Sequence, residues 1–259
     1  MTFTEAQLAT LIASVFWPFV RIASMFAAAP VFSNKQIPNR VKLLLAISVT
    51  FVVAPVLDPP PVVNVFSAEA ILILFQQMAI GVIIGFSLQL ALATLTVAGE
   101  MIGYSMKLGM AKMADPINGV QVPIVATLYI TLALLIILSL DIHLMMIQLI
   151  IDSFIVFPVA TDGITRNTLW DIISWTTRLY ELGLLMALPV IGSILLLDIA
   201  MGIMSRSAPQ IQIFAIGFPI TLIVGLVLIW LTLPSIMHSF IAAMDELLLF
   251  VREVIMVSP

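Results

Sequence analysis

The stretch AEAILILFQQMAIGVIIGFSLQLALATLTVA, from Ala68 to Ala98, decides the fold class of this chain. Glu69 is the one charged residue in it, and the run is longer than the roughly 20 residues that a helix needs to cross a bilayer. Lipid offers no hydrogen-bond partner to backbone groups, so such a segment is expected to be helical. Gly81 and Gly85 are four residues apart, a spacing that favours close approach by a second helix.

The composition of the whole chain is that of a membrane protein. Hydrophobic residues make up 62% of the 259 residues and charged residues only 9%, and the mean hydropathy is +1.23. Ordinary soluble domains have about 25% charged residues. The chain has no cysteine, which excludes disulfides and thiolate metal sites. A net charge of −4 without a basic run gives no indication of nucleic-acid binding.

The apolar spans predict an all-α, polytopic integral membrane protein with six or seven long helices. They cover Leu8–Ala29, Leu43–Leu57, Ala68–Ala98, Val122–Phe157, Ile172–Met204 and Ile213–Met237, and the fourth is divided around SLDIH, Ser139–His143. Basic residues in the short loops favour seven crossings with the N-terminus outside. Glu5 without a basic residue nearby predicts no cleavable signal peptide.

The last span is expected to end near Pro234 and His238. The tail from Ser239 to Val257 mixes leucines with four charged residues, so it is too charged to cross a bilayer. We predict that it forms an amphipathic helix at an interface or on a partner protein.

Charge is costly within apolar spans, and four of the charged residues there are candidates for a functional role. Arg21 and Asp198 are flanked by apolar turns, and we expect them to be neutralised by pairing with each other or with neighbouring subunits. Arg178 and Glu181 are three residues apart and can pair on one helix. A proton or ion path is the rival interpretation, but only Asp198 lies deep enough in a span to serve it.

No pattern of catalytic or metal-binding residues is present in the sequence. His143 and His238 are far apart, and Asp141 and His143 do not share a helical face. Phosphate-binding glycine-rich loops and nucleophile motifs are absent as well. We therefore expect neither an enzyme nor a cofactor.

The segment YSMKLGMAKMADPINGVQVP, Tyr104 to Pro123, is a polar interruption between apolar stretches. Met106, Met110 and Met113 would form one stripe if the segment were helical, and the sequence DPING breaks the helical pattern. Methionine is flexible and conforms to changing shapes. The residues alone leave two interpretations open, ordinary packing and a conformable seal in a pore.

Four stretches of the chain resemble the FliR family of flagellar export-gate subunits of type III secretion systems. They are RIASMFAAAPVFSNKQIPNRVKLLLAIS (Arg21–Ser48), AGEMIGYSMKLGMAKMADPINGVQVP (Ala98–Pro123), LDIHLMMIQLIIDSFIVFP (Leu140–Pro158) and SRSAPQIQIFAIGFPI (Ser205–Ile220). The last is the most specific. The chain departs from the family at Ile142, where glycine is usual, and at Gln212, where asparagine is common.

The resemblance implies an architecture and a set of partners. Residues 1–165 would be a FliP-like helical part with a plug loop at 104–123, and residues 170–259 a FliQ-like helical hairpin followed by the amphipathic helix. The chain would pack with FliP-like and FliQ-like subunits and a FlhB-like subunit in a helical cone at the flagellar basal body. That cone would sit in the bacterial inner membrane, in contact with lipid, and pass unfolded flagellar proteins. An injectisome homologue and a stand-alone secondary transporter are the alternatives.

The resemblance also assigns roles to single residues. The seal would comprise Tyr104, Met106, Lys107, Met110 and Met113. The loop would hinge at Gly103, Gly109, Asp115, Pro116 and Gly119. Arg21, Asp198, Arg178 and Glu181 would pair within the assembly. The hairpin tip would comprise Arg206, Pro209, Gln210, Gly217 and Pro219.

Overall fold

The computed structural model describes residues 5–33, 37–61, 63, 67–108, 123–161, 163–164, 166–207 and 213–257. This part of the chain contains seven α-helices and no β-strand: α1 Glu5–Ala28, α2 Asn39–Val53 with a 3-10 turn at Ala54–Val56, α3 Ala68–Ser105, α4 Ile124–Ser139, α5 Ile142–Val156, α6 Arg166–Ser207 and α7 Ile213–Val257. The predicted all-α, polytopic membrane fold is therefore confirmed.

The polar break at Ser139–His143 is a sharp bend between two short helices. Helices α4 and α5 meet at 67°, and Asp141 between them has a left-handed backbone with φ of 54°. They contain 16 and 15 residues, so each is about 24 Å long or less. Neither crosses a hydrocarbon core of roughly 30 Å alone. Taken as one span, the pair brings the crossings in the described chain to six at most, so the seven-crossing arrangement is not supported.

Three helices are much longer than one crossing requires. Helices α3, α6 and α7 contain 38, 42 and 45 residues, which corresponds to contour lengths of about 57, 63 and 68 Å. Each is therefore about twice as long as a hydrocarbon core is thick. Apolar surface on these helices extends beyond what one bilayer can cover.

Helix α7 continues through Pro234 to Val257, so the predicted end of the last span is wrong. A proline in a helix removes one backbone hydrogen bond. Here, packing of the residues that follow Pro234 maintains the helix. Four apolar side chains with helical spacing are buried there, namely Phe240, Met244, Leu247 and Val251. Asp245, Arg252 and Glu253 are exposed on the other side. The tail is amphipathic, as predicted, but it is not a separate helix.

Contacts divide the chain into two compact units. The first comprises Met1–Leu90, Ile137–Trp175 and Glu246–Pro259, and the second Ala91–Ile136 and Thr176–Asp245. The predicted division into residues 1–165 and 170–259 rests on the family resemblance and stays a prediction.

In the first unit, α1 contacts α2 and α5, and it also lies directly against α3. A Cβ atom on Gly81 would overlap the backbone carbonyl oxygen of Arg21, and one on Gly85 would overlap that of Met25. Glycine is required at both places because two helix backbones touch. The close approach that the sequence predicts at Gly81 and Gly85 is confirmed.

In the second unit, the remainder of α3 packs on three other helices. A Cβ atom on Gly99 would lie 2.9 Å from the Cβ of Ala126 in α4. On Gly183 of α6, a Cβ would lie 2.9 Å from the carbonyl oxygen of Thr94. Gly225 of α7 lies against the side chain of Met106, the residue that follows α3. Small residues thus let α3 lie close to each neighbour.

Candidate functional site

Helix α3 ends at Ser105, and the turn that follows it has an unusual backbone. The amide of Met106 still donates to the carbonyl oxygen of Ile102, and the amide of Lys107 donates to that of Tyr104, both at 3.0 Å. Lys107 then takes a left-handed conformation with φ of 62°. A residue with a Cβ atom is uncommon there and costs roughly 1–2 kcal/mol, so surrounding contacts must hold the turn in place.

The first of these contacts is made by the side chain of Met106, which is completely buried. A Cβ atom on Gly225 of α7 would lie 2.6 Å from Cε and 2.7 Å from Cγ of Met106. No described glycine has a positive φ, so Gly225 is needed for space rather than for its backbone conformation. Met106 therefore occupies a socket that glycine opens in α7.

The second contact is an ion pair between Lys107 and Asp198 of α6. The Lys107 Nζ lies 2.7 Å from Asp198 Oδ1, and each side chain is 35% exposed. Asp198 lies within an apolar span, where an unpaired carboxylate would be costly. Lys107 neutralises it inside the same chain, and the pair is partly exposed on the surface of the chain.

This geometry changes the interpretation of the methionine stripe. The helix ends before Met106, and Lys107 directly after it has a left-handed backbone, so Met106 itself does not lie in a helix. Met106 is buried in its own chain and Tyr104 is exposed. Gly103, a predicted hinge, lies inside α3. The other predicted seal and hinge residues lie outside the described residues: Met110, Met113, Gly109, Asp115, Pro116 and Gly119.

Arg21, in the first unit, is a completely buried cation held by neutral groups. Its Nε donates to Gln77 Oε1 at 2.7 Å, Nη1 to the carbonyl oxygen of Ser153 at 2.9 Å, and Nη2 to that of Phe157 at 2.8 Å. The ring of Phe154 lies 3.8 Å from the guanidinium carbon. Arg21 thus connects α1, α3 and α5.

The two carbonyl groups explain how a buried cation can exist here without a carboxylate. Ser153 and Phe157 are at the carboxyl end of α5, where the helix dipole is negative, and the Ser153 carbonyl oxygen accepts both from Arg21 and from the Phe157 amide. The guanidinium satisfies these carbonyls and is stabilised by the dipole. Arg21 and Asp198 each have a partner within their own unit. The expectation that they pair with neighbouring subunits stays a prediction.

The remaining predicted site residues lie on α6 and α7. Arg178 Nη1 is 2.8 Å from Glu181 Oε2, a pair that the three-residue spacing allows. Arg206 is exposed in the last turn of α6, and Gly217 and Pro219 lie in the first turns of α7. Pro209 and Gln210 lie outside the described residues. Among the residues described, no group of three or more could hold a metal ion.

Comparison with known proteins gives one consistent result. The family described as "Bacterial export proteins, family 1" matches residues 12–247. The chain is 40% identical over 236 residues to a flagellar biosynthetic protein FliR of Pectobacterium carotovorum, covering 91% of this chain and 90% of the relative. It is 39% identical to that of Escherichia coli over 85% and 84% of the two chains, and 26% identical to that of Bacillus subtilis over 82% of each. With matches over nearly its whole length, the chain belongs to the bacterial export protein family that includes the flagellar biosynthetic proteins FliR.

Proposed function

We propose that this protein is a subunit of the flagellar export gate in the bacterial inner membrane. Together with FliP-like, FliQ-like and FlhB-like subunits it would form the pore through which unfolded flagellar proteins leave the cell. Family membership supports this function, and the relatives named above are flagellar, which favours a flagellar gate over an injectisome. A role as a pore subunit agrees with a multi-pass, all-α chain.

The observation that carries the proposal is the exposed apolar face of α6. Large apolar side chains are exposed along the helix from Leu169 to Met204, a contour of about 52 Å. They include Leu184, Leu185, Leu188, Leu195, Leu196, Ile199 and Ile203. Lipid covers only about 30 Å of such a face, and proteins rarely leave large apolar patches in water. Other long apolar helices are the surface that fits the remainder.

The polar segment at 104–123 gives the pore a seal. A channel wide enough for an unfolded chain would dissipate the proton gradient if it stood open, and apolar constrictions exclude water and ions at rest. Met110 and Met113 suit this role because methionine yields to differently shaped side chains. Met106 is buried against Gly225, so we assign it to anchoring rather than to the seal.

Native mass spectrometry tests the assembly. The tagged chain is extracted in mild detergent after expression with its genomic neighbours, and we expect one complex containing FliP-like and FliQ-like chains. Leu196→Glu on the exposed face of α6 should release the chain from that complex, whereas Leu196→Met at the same position should not. A stable, monodisperse single chain in the wild-type sample would contradict the proposal.

The seal is tested separately by measuring membrane potential in resting cells. Met110→Ala combined with Met113→Ala should increase ion leakage through the assembled gate. Met145→Ala is the matched control, because Met145 is an exposed methionine on α5. Unchanged membrane potential in the double variant would rule out a methionine seal in this segment.

A further inference from the structure

The end of α3 is held at two points by different chemistry. Met106 inserts into the space left by Gly225 on α7, and Lys107 forms an ion pair with Asp198 on α6 at 2.7 Å. All four residues belong to the second unit. The adjacent residues in sequence begin the segment to which the seal has been assigned.

Both attachments have features of contacts that can open. The ion pair is about one-third exposed on both sides, so Lys107 and Asp198 can separate without displacing a buried group. Met106 meets Gly225 with the flexible part of its side chain, from Cγ to Cε, and can withdraw without displacing the α7 backbone.

The backbone of Lys107 adds a reason for release. Its φ of 62° is unfavourable for lysine, and the surrounding contacts maintain it. Strain of this kind is relieved when those contacts break, so it favours the open arrangement. In this turn, the contacts of Met106 and Lys107 thus favour the closed arrangement, and the backbone strain at Lys107 favours the open one.

We infer that Met106, Lys107, Asp198 and Gly225 form a releasable latch, which fixes the end of α3 when the gate is closed and opens when a substrate passes. This inference rests on the proposed export-gate function and adds its regulation. The contacts of Gly81 and Gly85 in the first unit differ, because there two backbones touch and nothing can withdraw.

A disulfide across the socket tests the latch. A Cβ on Gly225 lies 2.7 Å from Met106 Cγ, so the Cβ atoms of a cysteine pair at these positions would be within about 4.2 Å of each other, as disulfides require. The chain has no cysteine of its own, so Met106→Cys with Gly225→Cys gives a single possible bond. The reduced form of the same variant is the control, together with each single-cysteine variant under oxidant.

We expect oxidation of the double variant to lower secretion of flagellar filament protein at least tenfold, and reductant to restore it. Equal secretion before and after oxidation would overturn the latch. Failure of the pair to crosslink at all would overturn it as well, because the socket would then not be occupied in the assembled gate.

A second measurement does not depend on the socket. Lys107→Ala should raise resting ion leakage, and exchanging the charges, Lys107→Asp with Asp198→Lys, should lower it again. If the Met110→Ala, Met113→Ala variant raises ion leakage while crosslinking leaves secretion unchanged, the export-gate function is supported and the latch is refuted. If neither set of variants leaks and no complex with FliP-like chains is recovered, the proposed function itself fails.

Discussion

Arg21 and Lys107 are both cations beside apolar helices, but the protein holds them in different ways. Arg21 is completely buried and donates to four oxygen atoms that carry no formal charge, three of them at the end of α5. Lys107 is partly exposed and faces one carboxylate, Asp198.

The difference concerns what each contact costs to break. Removing Arg21 would leave Gln77 Oε1 and the Phe157 carbonyl oxygen buried without this donor, so the cluster is a fixed connection between helices. The Lys107 pair is about one-third exposed on both sides, so Lys107 and Asp198 can separate without moving buried groups, and the pair can open and close. Burial, rather than charge, separates the structural cation from the movable one.

Arg21→Ala should have the largest effect on stability. Four oxygen atoms lose Arg21 as a donor, and we expect a loss on the order of 3–5 kcal/mol in the free energy of unfolding. Thermal unfolding in detergent and the amount of chain in membranes would measure it. Arg40→Ala, at an exposed position in α2, should stay within about 0.5 kcal/mol. Equal losses of stability in the two variants would show that Arg21 does not hold α1, α3 and α5 together.

Gly81→Ala and Gly225→Ala should have the next largest effects on stability, and the two losses should differ. A Cβ on Gly81 overlaps backbone, and we expect a loss of about 1–3 kcal/mol in the free energy of unfolding. On Gly225 the Cβ meets only the Met106 side chain, which can move, so the loss should be below about 1 kcal/mol. Gly202→Ala has open space around it and should stabilise by about 0.4–1 kcal/mol. Thermal unfolding in one detergent would rank them, and the reverse order for the first two would refute the comparison.

The Lys107–Asp198 pair should contribute modestly to stability. A double-mutant cycle with Lys107→Ala and Asp198→Ala is expected to give a coupling free energy of up to about 1 kcal/mol, because both side chains are only partly buried and polar side-chain contacts between membrane helices average about 0.6 kcal/mol. Chemical unfolding of the four proteins in micelles measures it. A coupling above about 3 kcal/mol would place this pair in the same class as Arg21.

Glu181→Gln should have the smallest effect. Its partner Arg178 is 2.8 Å away on the same helix, and both side chains are largely exposed. Pairs of this kind contribute about 0.3–0.5 kcal/mol to the free energy of unfolding. The same unfolding assay would detect a larger loss, and a value above about 1.5 kcal/mol would mean that Glu181 has a second, buried partner.

Local features of the fold could be predicted from the sequence, and long-range pairings could not. Apolar runs give the helices, and the spacing of Gly81 and Gly85 indicates a close approach. The partners of Arg21 lie 56 and 132 residues away, and Asp198 lies 91 residues from Lys107. The carbonyl groups that bind Arg21 cannot be recognised in the sequence as opposite charges. Their partial charge comes from their place at a helix end and not from a residue type.

The ends of α3 and α7 could not be predicted from the sequence either. No glycine or proline marks the end of α3, where Lys107 takes the left-handed conformation that glycine usually supplies. Pro234 suggests an end of α7, and the helix passes through it. In both places tertiary contacts decide the outcome, namely the Asp198 ion pair and the buried stripe that includes Phe240 and Leu247. Local propensity is weaker than such packing.

The lengths of α6 and α7 bear on how a cell makes this protein. A newly inserted copy has apolar helices about 63 and 68 Å long, and the lipid around it shelters only part of them. In the proposed gate, neighbouring subunits would cover the remainder, and before assembly we expect it to be a target for membrane proteases and for aggregation. We therefore expect the cellular amount of this protein to follow the supply of its neighbours rather than its own rate of synthesis, with surplus copies degraded.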